Sequence, residues 1–176
     1  IALTSDKSTA YVSMRESNRI AVVDLGSFSV TDYIKLGLSS KDSLPLLPAE
    51  VDVSPVSNDS LLVAANGEVL SFVSGAQQGT VPAGFGAVTD LYFTDDGTEA
   101  FVHQLSDNLT RVAVSGAGVT RVDQQPELLQ AASLKLDGGF LYDREGAIVD
   151  ADTLTVDLGV NEVEIDGSGQ TSDGTL

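Results

Sequence analysis

Apolar and polar positions follow one recurring phrase: an apolar strand, a polar turn, then a second apolar strand. It opens with Leu3, a polar run over Thr4–Thr9, and Ala10-Tyr11-Val12. It returns as Val53, Ser54–Ser60 and Leu61-Leu62-Val63, and again as Phe93, Thr94–Glu99 and Ala100-Phe101-Val102. A fourth copy, with a shorter turn, runs Leu134-Lys135-Leu136, Asp137-Gly138-Gly139 and Phe140-Leu141-Tyr142. A second phrase follows each at a similar offset: Ile20–Asp24, Val69–Val73, Leu109–Val114 and Ala147–Asp150. Short apolar runs bounded by Gly, Asn, Asp and Ser are strand signals. They predict strands near 1–5, 9–14, 19–24 and 29–36, then 50–54, 60–65, 68–73 and 79–82. The next are near 88–94, 99–104, 109–114 and 118–123, and the last near 131–136, 139–143, 146–150 and 154–158. Asn66-Gly67 marks a two-residue hairpin. Helical periodicity is confined to one short stretch, Glu127–Ala131.

The phrase starts lie 50, 40 and about 41 to 43 residues apart. A period near 40 to 45 residues is that of one four-stranded β-propeller blade. Val23–Val30 and Val149–Val156 form the closest internal pair, 126 residues apart, or three periods of 42. The predicted fold is therefore all-β, with four four-stranded antiparallel blades at about 1–37, 38–84, 85–125 and 126–164. Residues 165–176, rich in Gly, Ser, Asp and Thr, read as a polar linker or tail. Four blades are fewer than the six to eight usual for such proteins, so they are expected to be part of a larger propeller. Closure as a four-membered ring and completion by a second chain are the alternatives, because an open stack leaves exposed sheet edges.

The phrase Thr9-Ala10-Tyr11-Val12-Ser13, then Asn18–Asp24, then Val30 through Leu36-Gly37 resembles the YVTN family of β-propeller repeats. That family belongs to bacterial and archaeal surface and periplasmic proteins. The first unit matches well, the fourth partly, and the middle two by hydrophobic phase. Asp24 and Asp150 occupy the family's aspartate position, where Ser74 and Ser115 stand in the other units. The resemblance implies an extracellular, cell-surface or periplasmic propeller.

Composition adjusts this picture. Apolar residues make up 42% of the 176, but aromatics only 6%, with no Trp. Packing therefore rests on branched aliphatic side chains and Ala, which suits β structure. The net charge of −17 repels nucleic-acid phosphates and anionic lipid heads, so neither is an expected partner. The chain has no Cys, hence no disulfide framework, thiolate metal site or Cys nucleophile. No segment approaches 18 uninterrupted apolar residues, so direct membrane insertion is not expected. Ile1–Ser5 reads as strand interior, the expectation for a fragment of a longer protein or a processed mature form.

Catalytic equipment is sparse. His103, the single histidine, ends a predicted strand and is expected to face solvent; any Ser-His-Asp arrangement would have to use it. Asp95-Asp96-Gly97 and Asp150-Ala151-Asp152 are the densest acidic loops. Neither has the spacing of a calcium-binding loop, so no cofactor is predicted and calcium stays an open alternative. Asp24 and Asp150 read as turn residues accepting local backbone N–H bonds. Gly84-Phe85-Gly86 and Gly167-Ser168-Gly169 do not lead into a helix and so lack a phosphate cradle. The connections between units, Leu38–Ala49, Gly75–Ala87 and Asp123–Gln130, are the best candidates for ligand contact. Their polar residues Lys41, Asp42, Gln77, Gln78, Gln124 and Gln125 are the candidate binding residues. The resulting expectation is a non-catalytic module for protein or glycan binding, or for spacing other domains. The rivals are a propeller-type enzyme of the lactonase-like hydrolase kind and a polymeric surface subunit that self-associates through blade edges.

Overall fold

A computed structural model describes residues 1–81, 86–105, 108–125, 134–143 and 147–157. Within them the chain forms sixteen strands in four antiparallel sheets, each a simple meander. Blade 1 comprises β1 (Ala2–Leu3), β2 (Thr9–Met14), β3 (Arg19–Asp24) and β4 (Ser29–Lys35). Blade 2 comprises β5 (Pro48–Val53), β6 (Ser60–Ala65), β7 (Glu68–Val73) and β8 (Ala76–Val81). Blade 3 comprises β9 (Val88–Phe93), β10 (Glu99–Gln104), β11 (Leu109–Ser115) and β12 (Gly118–Gln125). Blade 4 comprises β13 (Leu134–Asp137), β14 (Phe140–Asp143), β15 (Ile148–Asp150) and β16 (Thr155–Asp157). The expected strand start at 131–133, the helical turn at 127–131, the segment 158–164 and the tail 165–176 lie outside the described residues.

The repeat extends to details that the hydrophobic pattern does not carry. Pairing of the third strand with the fourth shifts register between Val22 and Val23, between Ser71 and Phe72, and between Arg111 and Val112. Cross-strand pairs place these bulges at one repeat position, since Val23, Phe72 and Val112 oppose Ala10, Leu61 and Ala100. A bulge adds local twist, and repeating it gives blades 1 to 3 the same coil, whereas β15 and β16 of blade 4 pair without a shift. The first turn also recurs. Thr4 Oγ1 donates to Asp6 at 2.7 Å, which also accepts Ser8 N–H. Thr94 Oγ1 donates to Asp96 at 2.7 Å, which likewise accepts Thr98 N–H.

Each sheet has two apolar faces, and the core consists of three joints in which one blade's forward face meets the next blade's back face. Tyr11, Ile20 and Ile34 of blade 1 pack on Val53, Leu61, Val63 and Leu70 of blade 2. Leu62, Val69 and Val81 of blade 2 pack on Leu91, Phe93, Ala100 and Val102 of blade 3. Phe101 and Leu109 of blade 3 pack on Leu134, Leu141 and Val149 of blade 4. Burying one such aliphatic side chain contributes about 1.5–3 kcal/mol. A lone blade has no partner for either face. The first strands β1, β5, β9 and β13 follow one another at the inner edge, and the fourth strands form the outer edge, where β4 is exposed along most of its length.

Polar ties cross the same joints. Tyr11 Oη donates to Asn58 O at 3.0 Å, and Phe93 N donates to Asp52 Oδ2 at 2.8 Å. Tyr92 Oη donates to Leu134 O, and Arg111 Nη1 donates to Asp152 O at 2.9 Å. Glycine permits one unusually close approach. A Cβ on Gly79 of β8 would lie 2.9 Å from Gly118 Cα of β12, so the outer strands of blades 2 and 3 touch backbone to backbone.

Candidate functional site

An antiparallel meander puts its first and third turns at one end of a blade. The middle turn and the connection to the next blade lie at the other. At this connection end lies a cavity of about 540 Å³. It is lined by Arg15 from the β2–β3 turn, Asn66 and Gly67 from the β6–β7 turn, Leu47–Ala49 leading into β5, and Gly86–Val88 leading into β9. Ala64 and Ala65 form its floor beside this hairpin. Among the described residues Arg15 is the one ionisable group in the lining, and its guanidinium stands 3.6 Å from the Glu50 carboxylate. Burial raises the Glu50 pKa, with the nearby charges of Arg15 and Asp90 acting in opposite directions.

The rim is built by side chains that clamp the long connection between blades 1 and 2. Asn18 Nδ2 donates to Leu46 O at 2.9 Å, and its Oδ1 accepts Gly37 N–H. Asn66, whose left-handed backbone with Gly67 makes the tight hairpin, accepts Leu47 N–H and donates to Pro45 O. Glu68 lies 1% exposed. Its Oε1 accepts Ser39 Oγ–H at 2.8 Å, Ser40 N–H at 2.8 Å and Ser40 Oγ–H at 3.1 Å. A carboxylate this buried is tolerated because charged hydrogen bonds replace its water. The clamped loop closes on itself through a Leu38–Pro45 bridge and presents Leu38, Leu44 and Leu47 outward at 63%, 57% and 40% exposure.

The six candidate binding residues do not converge. Lys41 and Asp42 sit at the tip of this clamped loop, where Asp42 Oδ1 accepts Leu44 N–H. Gln77 and Gln78 belong to β8, close to the opposite end of blade 2, with side chains bonded to Thr80 Oγ1 and Ala76 O. The reading of Gly75–Ala87 as a connection is thus corrected: its first part pairs with β7 as the outer strand. Gln124 and Gln125 likewise close β12, opposite Thr110 and Leu109. Residues 82–85 and 126–130 of these two connections, and with them most of Gly84-Phe85-Gly86, lie outside the described residues.

His103 also departs from expectation, being 1% exposed rather than solvent-facing. It shares the forward face of blade 3 with Phe101, which the joint with blade 4 covers. Its Nδ1 lies 2.8 Å from Thr89 Oγ1 and 3.6 Å from Asp90 Oδ2. Beside it the inner strands gather acidic and phenolic groups. Asp52 is raised in pKa chiefly by burial, with the Phe93 and Val53 N–H bonds pulling it back. Tyr92 is pushed up to about 12 by burial and then by the carboxylates of Asp90, Asp52 and Glu50.

The acidic turns are occupied with local structure. Asp150 Oδ1 accepts Asp152 N–H, Thr153 N–H and Thr153 Oγ–H, and Asp24 Oδ1 accepts Ser27 N–H. In blade 2, Ser74 Oγ reaches back to Asp59 instead. These bonds hold Asp24, Asp59, Asp96 and Asp150 below the usual carboxylate range. A hollow of about 240 Å³ between the turns of blades 3 and 4 is lined by Asp95, Asp96, Glu99 and Asp152. No group of three or more His, Cys, Asp or Glu among the described residues is arranged to hold a metal ion.

Sequence reasoning passed over Glu68, Arg15 and the loop leucines. A glutamate inside the otherwise apolar run after Asn66-Gly67 was the available signal, since a charge there needs partners.

The fold is that of β-propeller blades, and solved structures carry the same arrangement. The chain is similar to a chain of a mitotic checkpoint complex, with 19% identity and TM-score 0.64 over 85% of this chain and 46% of that one. It is similar to a protein from Lactobacillus plantarum, with 21% identity and TM-score 0.63 over 85% of this chain and 53% of that one. A dihydro-heme d1 dehydrogenase, NirN, solved in complex with DHE, aligns at 14% identity and TM-score 0.60 over 88% of this chain and 36% of that one. The chain thus spans about half or less of the length of these structures. No protein-family description and no curated protein matches it.

Proposed function

We propose that this chain is a non-catalytic, extracytoplasmic β-propeller module of the YVTN type that binds a protein segment at its connection end. The observation that carries the reading is the pairing of a cavity with an apolar, firmly held rim. Leu38, Leu44 and Leu47 are offered to solvent by a loop that Asn18, Asn66 and Glu68 fix in place. Exposed apolar groups on a rigid support are what protein contacts use. A preorganised loop also loses little entropy on binding. Among the described residues the cavity wall of Ala, Pro, Leu, Val, Gly and Asn66 offers Arg15 as its one charge, which suits an apolar anchor followed by an acceptor group on the partner. Glycan recognition would be better served by an aromatic platform than by this wall. His103, 1% exposed, is directed at Thr89 Oγ1 on the forward face of blade 3, the face opposite to that of Val88 in the cavity lining. The resemblance to YVTN repeats, together with the lack of Cys and the few Lys, supports a location outside the cytoplasm.

Selection of a displayed random-peptide library, alongside a glycan array, tests the proposal. Peptide ligands should emerge, and binding should fall at least tenfold for Leu44→Asp and for Arg15→Glu. Glycan hits lost by the same variants, or peptide binding untouched by either, would overturn it.

A further inference from the structure

The cavity at the connection end is hollowed by small side chains at repeat positions that blade 3 fills. β5 and β6 pair with a register shift between Pro48 and Glu50, and β9 and β10 repeat it. Pro48 opposes Ala65 and Glu50 opposes Ala64, as Val88 opposes Gln104 and Asp90 opposes His103. Ala64 therefore stands where blade 3 has His103, and the bulged Ala49 where it has Thr89. In blade 3 those two side chains meet, Thr89 Oγ1 lying 2.8 Å from His103 Nδ1, and they occupy the corner beside the bulge. In blade 2 the two alanines leave that corner open, and both line the cavity. The neighbouring wall is held in place. Gly86 N–H donates to Gln104 Oε1 at 2.7 Å, and Leu105 N–H to Ala87 O at 2.8 Å. Blade 2 has a packed blade on each side, so this opening belongs to the interior of the stack.

We propose that Ala49 and Ala64 set the specificity of this cavity, admitting two aliphatic side chains of a partner segment that carries a carboxylate beside them; this rests on the reading of the connection end as a protein-binding site. A cavity of about 150 Å³ already encloses benzene. The 540 Å³ found here exceeds what one aliphatic side chain fills. Among the described residues the lining holds neither an aromatic ring nor a carboxylate. Its close contacts therefore favour aliphatic groups over stacked rings or cations. Even with Glu50 at 3.6 Å, the Arg15 side chain is 75% exposed, which keeps its guanidinium open to a second carboxylate and sets it against Lys or Arg on the partner. Larger side chains at positions 49 and 64 would close the corner, as they do in blade 3, and exclude one of the two anchors.

Panning one displayed random-peptide library on the parent chain and on two variants tests this. Ala49→Thr combined with Ala64→His copies the Thr89–His103 pair into blade 2, and Ala49→Thr alone is a smaller change at a half-buried position. The parent should enrich clones with two Val, Leu or Ile residues beside Asp or Glu. Those clones should bind the double variant at least tenfold more weakly and the single variant about threefold more weakly. Circular dichroism should keep the strand signal for both; if the double variant loses it, the single variant decides. Clones rich in aromatic or basic residues, or clones that bind parent and variants alike, would sink the proposal. If such clones still lose binding to Leu44→Asp and Arg15→Glu, the protein-binding reading stands and the size selection alone fails. A library that yields no ligand removes both.

Discussion

The joint between blades 2 and 3 and the partly exposed back face of blade 1 carry the same kinds of residues at the same repeat positions, yet only one is a closed core. At the joint, Leu62 and Val102 are fully buried, and backbone touches backbone at Gly79 and Gly118. On blade 1, Val12 has the same identity and register but is only half-buried among the described residues. The contrast shows that alternation within a strand specifies a face able to be buried. Burial itself comes from the neighbouring repeat, as nearest-neighbour stacking requires.

The sharpest way to break the contrast is at its dry side. Leu62→Ala removes a fully buried side chain from the blade 2–3 joint and should cost about 2–5 kcal/mol in urea unfolding. A cost near that of an exposed substitution would mean that the joint is not close-packed. Gly79→Ala comes next. Its Cβ would press on Gly118 at 2.9 Å, so blades 2 and 3 must part slightly, at about 1–3 kcal/mol by the same assay. Gly116→Ala, where an added Cβ meets nothing within 4 Å, is the control and should change little.

A smaller effect probes the polar side of the joint. Burial raises the Asp52 pKa, so the folded chain holds this proton more tightly than the unfolded chain does. Ionised Asp52 therefore costs stability above its raised folded pKa, and the cost fades as pH falls toward the ordinary carboxylate value. Asp52→Asn keeps an amide oxygen for the Phe93 N–H and removes the charge. Its Tm should exceed the parent's at neutral pH, with the gap closing in acid. A gap independent of pH would show that the carboxylate is not desolvated by the joint. The exposed turn carboxylates run the opposite way: Asp24, Asp96 and Asp150, held low, support the fold above the usual carboxylate range and lose that support as pH falls through their lowered pKa.

Strand positions were legible in the sequence because each strand carries its own local signal. β2, β3, β6, β7 and β10 fall where the apolar phrases and turn residues place them. The turn roles of Asp24, Asp150 and Asn66-Gly67 were readable for the same reason. The candidate site was much less so. Gln77 and Gln78 look like loop residues because β8 is polar and glycine-containing, yet its backbone pairs with β7, and an outer edge strand needs few apolar side chains. His103 looks like a strand-end polar residue, yet it is buried against Thr89 on the forward face of blade 3. Glu68 gains meaning from Ser39 and Ser40, 28 to 29 residues earlier in the chain. Each of these depends on contacts between repeats or across a long connection, which spacing along one repeat does not encode.

The central claim, that covering by a neighbouring blade turns a repeated face into a core, is tested most directly by Val→Ala at equivalent positions. Val63→Ala and Val12→Ala would be compared by urea unfolding of the same chain. Val63→Ala should cost about 2–3 kcal/mol and Val12→Ala less than half of that. Equal costs would contradict the account.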